Sequence, residues 1–168
     1  WAYSADDGFF QGTGENMSPY KKVGLYKMKD DGTNGNALFY LAGRQSGKIG
    51  NLYTVENLAA GDYEISFPGF GWARNITTTM YIYPKPATMD YETLNGATKT
   101  AFGTFTPTKN TSWSGNAAET AWPSQTEQYS LSFNVPAAGD YVIEWAIPRE
   151  GSQSYYGVGF GNYSIKKK

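Results

Sequence analysis

Residues 58–67 read LAAGDYEISF and residues 136–145 read PAAGDYVIEW, so one short phrase occurs twice, 78 positions apart. In each copy Ala-Ala-Gly provides a turn, because glycine adopts backbone conformations closed to other residues. The tyrosine that follows begins a period-two pattern typical of a strand. The residues around the copies do not match at a fixed offset, which argues against a repeat array. We therefore predict that the same turn-and-strand motif occurs twice within a single domain.

Each copy gathers its large apolar side chains on one face of the strand. That face comprises Tyr63, Ile65 and Phe67 in the first copy and Tyr141, Ile143, Trp145 and Ile147 in the second. Because an apolar strand face belongs in a core, Trp145 is assigned to structure. Glu144 then falls on the outer face of its sheet.

Period-two runs recur along the whole chain, whereas helical periodicity is almost missing. The predicted strands cover residues 21–28, 37–44, 49–55, 62–67, 77–83, 101–106, 129–135, 141–147 and 155–165, separated by turn signals such as Asn34-Gly35 and Gly139-Asp140. About nine antiparallel strands predict an all-β, two-sheet β-sandwich, a jelly roll. No composition break divides residues 1–168, so we predict one domain.

Composition excludes several classes of site. The 168 residues contain no cysteine and no histidine. Disulfides, thiolate nucleophiles, Ser-His-Asp triads and the usual zinc sites are thereby ruled out. A net charge of −1 gives no reason to expect nucleic acid. The run Lys166–Lys168 is interpreted as a solvated tail.

No targeting or membrane signal is visible in the sequence. The chain begins at Trp1 and has no apolar run approaching the roughly 18 residues of a transmembrane helix. We interpret it as a piece of a longer protein. The Asp30–Gly35 loop could attract calcium, but its spacing misses the EF-hand pattern and a polar hairpin turn explains it better.

The order of the strand motifs resembles the β-sandwich carbohydrate-binding modules of families 4, 9 and 22, which are galactose-binding-like jelly rolls. In those modules a strand ending in Gly-Arg precedes a Gly-x-Tyr strand, as ALFYLAGR (37–44) precedes LAAGDYEISF here. A strand carrying a glutamate, a glycine-containing loop and a final strand follow later. GDYVIEWAIPREG (139–151) and VGFGNYSI (158–165) correspond to them.

The resemblance implies a small set of site residues. Arg44 occupies the place of the cleft arginine, and Glu144 that of the cleft glutamate of xylan-binding members. Phe67 stands closest to the cleft tryptophan, with Trp72 just after it. The final-strand aspartates that help hold a structural calcium in relatives are Gly161 and Asn162 here. No cofactor is implied as required, and that calcium is in doubt.

Further ligand-contact candidates come from the residues themselves, since sugars stack on aromatic rings and hydrogen-bond to planar polar groups. Loop aromatics on a rigid β scaffold often carry recognition, although each can equally plug an end of the sandwich. The candidates are Trp72, Trp113, Trp122, Arg74, Tyr155 and the face of 77–83 that carries Tyr81 and Tyr83. That last face either lines a groove or packs under a loop.

These features predict a non-catalytic carbohydrate-binding module, secreted or at the cell surface and bacterial. It would be monomeric and would target a glycoside hydrolase in the same polypeptide to plant β-glycan, with xylan preferred. The expected partner is a polysaccharide or oligosaccharide, with no nucleic acid and no membrane insertion. The alternatives are a structural or adhesive sandwich without a sugar site, and a small hydrolase that uses two carboxylates.

Overall fold

The computed structural model describes residues 2–5, 8–11, 23–29, 36–42, 50–72, 75–108, 110–111, 127–147, 156–161 and 163–168. In this part the chain forms thirteen strands and one short helix. The elements are β1 (Ala2–Ala5), β2 (Gly8–Gln11), β3 (Val23–Lys29), β4 (Asn36–Ala42), β5 (Gly50–Leu58), β6 (Gly61–Trp72), β7 (Thr78–Pro84), α1 (Tyr91–Gly96), β8 (Thr100–Phe105), β9 (Asn110–Thr111), β10 (Glu127–Val135), β11 (Gly139–Ile147), β12 (Tyr156–Gly161) and β13 (Ser164–Lys167).

The strands form two sheets, and the predicted β-sandwich is confirmed. Sheet A has the order β2-β1-β5-β11-β7-β8. Sheet B has the order β10-β6-β12-β4-β3, with β13 and β9 also paired to β6. All described pairings are antiparallel except the short one between β6 and β9. All nine predicted strands occur, the last one divided into β12 and β13. The sequence reading missed β1, β2, β9 and α1.

The core lies between the sheets and is rich in aromatic rings. Trp145 from sheet A stacks on Phe160 from sheet B, with ring centroids 4.8 Å apart. Phe67 packs edge-on against both rings. Met80 and Ile82 also belong to this core, as their alternation predicts. Trp145 is fully buried, which confirms its assignment to structure.

The doubled phrase marks the two places, side by side, where the chain crosses between the sheets. The first copy leads from β5 in sheet A to β6 in sheet B, and the second leads from β10 in sheet B back to β11 in sheet A. Leu58 lies opposite Gly139, and Gly61 lies opposite Val135. The crossings are therefore neighbours at one end of the sandwich. We call them the twin corners.

The twin corners use the same hydrogen bonds. Tyr63 Oη donates to the Ala59 carbonyl at 3.0 Å, and Tyr141 Oη donates to the Ala137 carbonyl at 2.9 Å. Each tyrosine thus ties its ring, packed in the core, to the turn four residues earlier.

The corners are also joined to each other by side-chain amides. Asn57 beside the first corner donates to Asp140 of the second at 2.7 Å. Asn134 beside the second donates to Asp62 of the first at 2.8 Å. In each copy of the phrase, the tyrosine therefore stabilises its own corner and the aspartate links that corner to its neighbour.

Candidate functional site

The outer face of sheet A is covered by the connection between β7 and β8. These strands are neighbours, and the fifteen residues between them, 85–99, include α1 and fold back over the sheet. Leu94 of α1 is fully buried against Tyr53, Tyr83 and Val142, which lie on this outer face. Asp90 caps α1 by accepting the Thr93 backbone N–H at 2.8 Å. The connection therefore forms a second, smaller core on the outside of the sheet.

Glu144 is held within this second core by a cation and a phenol. Lys99 Nζ lies 2.8 Å from Glu144 Oε2 and 3.0 Å from Oε1. Tyr83 Oη donates to Oε2 at 2.8 Å. Only 1% of the Glu144 side chain is exposed, against 15% of Lys99. Burial, with the adjacent Glu144 charge, raises the pKa of Tyr83 far above its ordinary value, so the phenol remains a donor.

The Lys99 ammonium also lies over two aromatic rings. Its Nζ is 5.9 Å from the Tyr81 ring centroid and 5.5 Å from that of Tyr83. Such cation–π contacts add to the ion pair in fixing the cation. Lys99 is the last residue before β8. The arrangement fastens the connection to the sheet, so the Tyr81–Tyr83 face packs under a loop and does not line an open groove.

Three of the residues predicted to contact the ligand are buried. Phe67 is 1% exposed because its ring lies between the sheets. Glu144 lies on the outer face, as predicted, but it and Tyr83 are buried under residues 85–99. Tyr81 shares that face and is half-buried.

Of the predicted cleft formed by Arg44 and Glu144, the structure describes Glu144 alone. Arg44 lies outside the described residues. Glu144 faces away from sheet B, on the outer side of sheet A. The remaining candidates Trp113, Trp122, Arg74 and Tyr155 lie outside the described residues, and Trp72 is described only by its backbone at the end of β6.

Glu64 and Glu144 cannot serve as the two carboxylates of a small hydrolase. Glu64 of β6 lies on the outer face of sheet B, opposite Ser132 in register, whereas Glu144 lies on the outer face of sheet A. The whole sandwich separates them, so they cannot flank one glycosidic bond. Glu127 is engaged elsewhere, since it accepts hydrogen bonds from Thr108 and Tyr129.

The outer face of sheet B presents a continuous set of small polar side chains. Leu131 and Phe133 of β10 pack into the core, so the alternate positions point outward. Six of the outward positions on β10, β6 and β13 carry hydroxyls or amides that are exposed or half-buried: Ser66, Gln128, Ser130, Ser132, Asn134 and Ser164. We call this set the polar strip. Ser66 and Ser130 are joined hydroxyl to hydroxyl at 3.0 Å.

The polar strip leads along β6 to an end built from glycines and aromatic residues. On β12, Val158 and Phe160 are buried in the core, so Gly157, Gly159 and Gly161 occupy the outward positions. Phe70 lies opposite Gly159, and Trp72 lies opposite Gly157. Phe70 stands on the outer side of the sheet and is 1% exposed. Alternate glycines in a strand are typical of close approach by a ligand or another segment.

The sequence contains a signal for the polar strip that the candidate list did not use. Residues 129–135, YSLSFNV, alternate large apolar residues with serine and asparagine. The alternation predicted the strand, and it also predicts a face of short hydrogen-bonding groups.

No family model and no curated protein matches the sequence. Among solved structures, the chain is similar to TmCBM61 in complex with β-1,4-galactotriose, with 13% identity, a TM-score of 0.49, and coverage of 89% of this chain and 85% of that chain. It is also similar to a CBM4 protein, with 11% identity, a TM-score of 0.46, and coverage of 88% and 96%. At these identities and TM-scores, neither likeness decides what this chain binds.

Proposed function

We propose that the chain is a non-catalytic carbohydrate-binding module whose ligand lies on the outer face of sheet B. The observation that carries the proposal is the polar strip, which runs along the three paired strands β10, β6 and β13. The other sheet offers no such face, because residues 85–99 cover its centre in the described part of the chain. A polysaccharide is the ligand class that this outer face suits best.

The chemistry of the strip matches that of a sugar. A polysaccharide presents rows of hydroxyls that both donate and accept hydrogen bonds, and serine hydroxyls and side-chain amides do the same. From Gln128 to Asn134 the strip extends roughly 20 Å along β10, enough for several sugar units. Exposed hydrogen bonds contribute about 1 kcal/mol each, so we expect dissociation constants of about 10–100 μM.

We propose the chemical class of the ligand and no single polysaccharide. The preference for xylan rests on the resemblance of Arg44 and Glu144 to two cleft residues, and Glu144 is buried under residues 85–99. We therefore propose a β-linked plant polysaccharide and keep xylan as one member of the test panel. We propose further that the module belongs to a secreted, bacterial glycoside hydrolase. It would hold that enzyme near its polymer at high effective concentration.

Affinity gel electrophoresis tests the proposal. The panel contains xylan, mixed-linkage glucan, glucomannan, β-1,4-galactan and pectin. The variant Ser66→Leu/Ser130→Leu replaces the hydroxyl pair of the strip. Its matched control is Thr77→Leu/Thr106→Leu, which replaces the exposed hydroxyl pair just beyond the ends of β7 and β8, joined at 2.7 Å. Since both pairs are exposed, both variants should fold.

The proposal expects at least one polysaccharide to retard the native protein and the control, but not the strip variant. Equal loss in both double variants would remove the assignment to sheet B. If no polysaccharide retards the native protein, the structural or adhesive sandwich becomes the better account.

A further inference from the structure

The three lysines at positions 166–168 are exposed, as a solvated tail predicts, but Lys166 and Lys167 belong to a strand of sheet B. Ser164–Lys167 forms β13, which pairs with β6 and places Lys166 opposite Glu64. The backbone N–H of Lys168 donates to the Asp62 carbonyl at 2.9 Å and continues the pairing. Three consecutive cations are therefore held at defined positions on the sheet.

Strand alternation divides these lysines between the two sides of the sheet. Lys167 lies on the core side, where its Nζ donates to the Ala60 carbonyl at 2.7 Å and lies 5.9 Å from the Tyr63 ring centroid. Lys166 and Lys168 lie on the outer side and are exposed. Lys168 Nζ reaches across β6 to Ser132 of the polar strip at 2.6 Å. Two ammonium groups thus flank one end of the strip.

Two carboxylates share the outer face with these cations. The Asp62 carboxylate accepts a hydrogen bond from Asn134, which leaves its negative charge in place. Glu64 lies opposite Lys166 in register, yet among the described residues no ion pair within 4 Å joins Lys166 to a carboxylate. The Cα atoms of two residues at positions i and i+2 of a strand are roughly 7 Å apart. Their flexible side chains can reach a single anion placed between them.

We propose that Lys166 and Lys168 bind the carboxylate of a uronic acid in the polysaccharide. The inference rests on the proposed function, because the cations adjoin the strip that the sugar would occupy. A carboxylate fits better than a neutral sugar here, since charge-assisted hydrogen bonds from ammonium groups are roughly twice as strong as neutral ones. The ligand is thereby narrowed to an acidic glycan whose charged residue lies at the β13 end of the strip.

Calorimetric titration with two probes tests this inference. One probe is a glucuronoxylan, and the other is the same polymer after its carboxyl groups have been reduced to alcohols. The variant is Lys166→Gln/Lys168→Gln, and Lys167→Gln is the matched control from the core side of the same strand. Titrations at low and high salt separate charge from contact, because exposed charges are screened.

The native protein and the control should bind the acidic polymer roughly fivefold to tenfold more tightly than the reduced one at low salt. The double variant should bind both polymers equally and keep the affinity of the native protein for the reduced one. Equal native affinities would overturn the uronate inference while the carbohydrate proposal stands. Binding of dextran sulfate as tight as that of glucuronoxylan would also overturn it, in favour of general polyanion attraction. Failure of both xylans, and of every polymer in the electrophoresis panel, would count against the carbohydrate proposal itself.

Discussion

Glu144 is a carboxylate buried in a small core and held by Lys99 and Tyr83. A buried charge is tolerated only with a partner, since removing one member leaves the other uncompensated in a low-dielectric site. Lys99 lies at the end of the 85–99 connection, so this ion pair, together with the burial of Leu94, holds the connection against sheet A. Glu144, which the resemblance assigned to ligand binding, thus attaches residues 85–99 to sheet A.

Replacing Lys99 with methionine should therefore destabilise the protein. We expect Lys99→Met to lower the free energy of unfolding by about 2–4 kcal/mol, because Glu144 loses its cation. Adding Glu144→Gln should recover much of that loss, since the buried group is then neutral. Urea denaturation measures both. The control is Lys85→Met, an exposed lysine of the same connection. A Lys99→Met loss no larger than that of the control would contradict the account.

Asp90 gives a pH-dependent contribution at the start of α1. Hydrogen bonding to Thr93 holds its pKa below the ordinary value of 3.8. A carboxyl group with a lowered pKa in the folded state stabilises it above that ordinary value and loses the effect as the pH falls. The stability gap between the native protein and Asp90→Ala, measured by denaturation, should therefore narrow from pH about 6 to about 3. Asp90→Asn keeps a cap that does not titrate, so its gap to Asp90→Ala should stay constant with pH.

At the level of elements, the twin corners have the same sequence phrase but differ in the backbone conformation of their glycine. Gly61 has a φ of +146°, a region that favours glycine, and a Cβ there would lie 2.6 Å from Lys167 Cε. Gly139 has no positive φ, and its Cβ would meet nothing closer than Tyr141 at 3.8 Å. The two glycines occupy equivalent places in the phrase but have different structural requirements.

This difference predicts unequal effects of the same substitution. Gly61→Ala should cost about 1–3 kcal/mol of stability because of its backbone conformation. Gly139→Ala should change stability by less than about 0.5 kcal/mol. Thermal or urea unfolding of the two variants measures the contrast. Equal effects would show that the corners do not differ as described.

At the level of the whole molecule, local pattern predicted the strands and their buried faces, but not what covers the outer faces. The run 77–83 alternates clearly, and Met80 and Ile82 accordingly lie in the core. Residues 85–99 have no such alternation, and α1 spans only six residues. Their packing depends on Leu94 and Lys99 meeting strands distant in the sequence. Likewise, β4 and β11 belong to different sheets, and no local sequence motif predicts that assignment.

The central claim is that the outer face of sheet B binds the polysaccharide. An NMR titration of the ¹⁵N-labelled protein, with a polysaccharide selected by electrophoresis, tests it most directly. The claim predicts that the amide shifts of Ser66, Ser130, Ser132 and Ser164 change on binding, while those of Tyr81 and Val142 in sheet A do not. Shifts confined to sheet A, or spread evenly over both sheets, would contradict it.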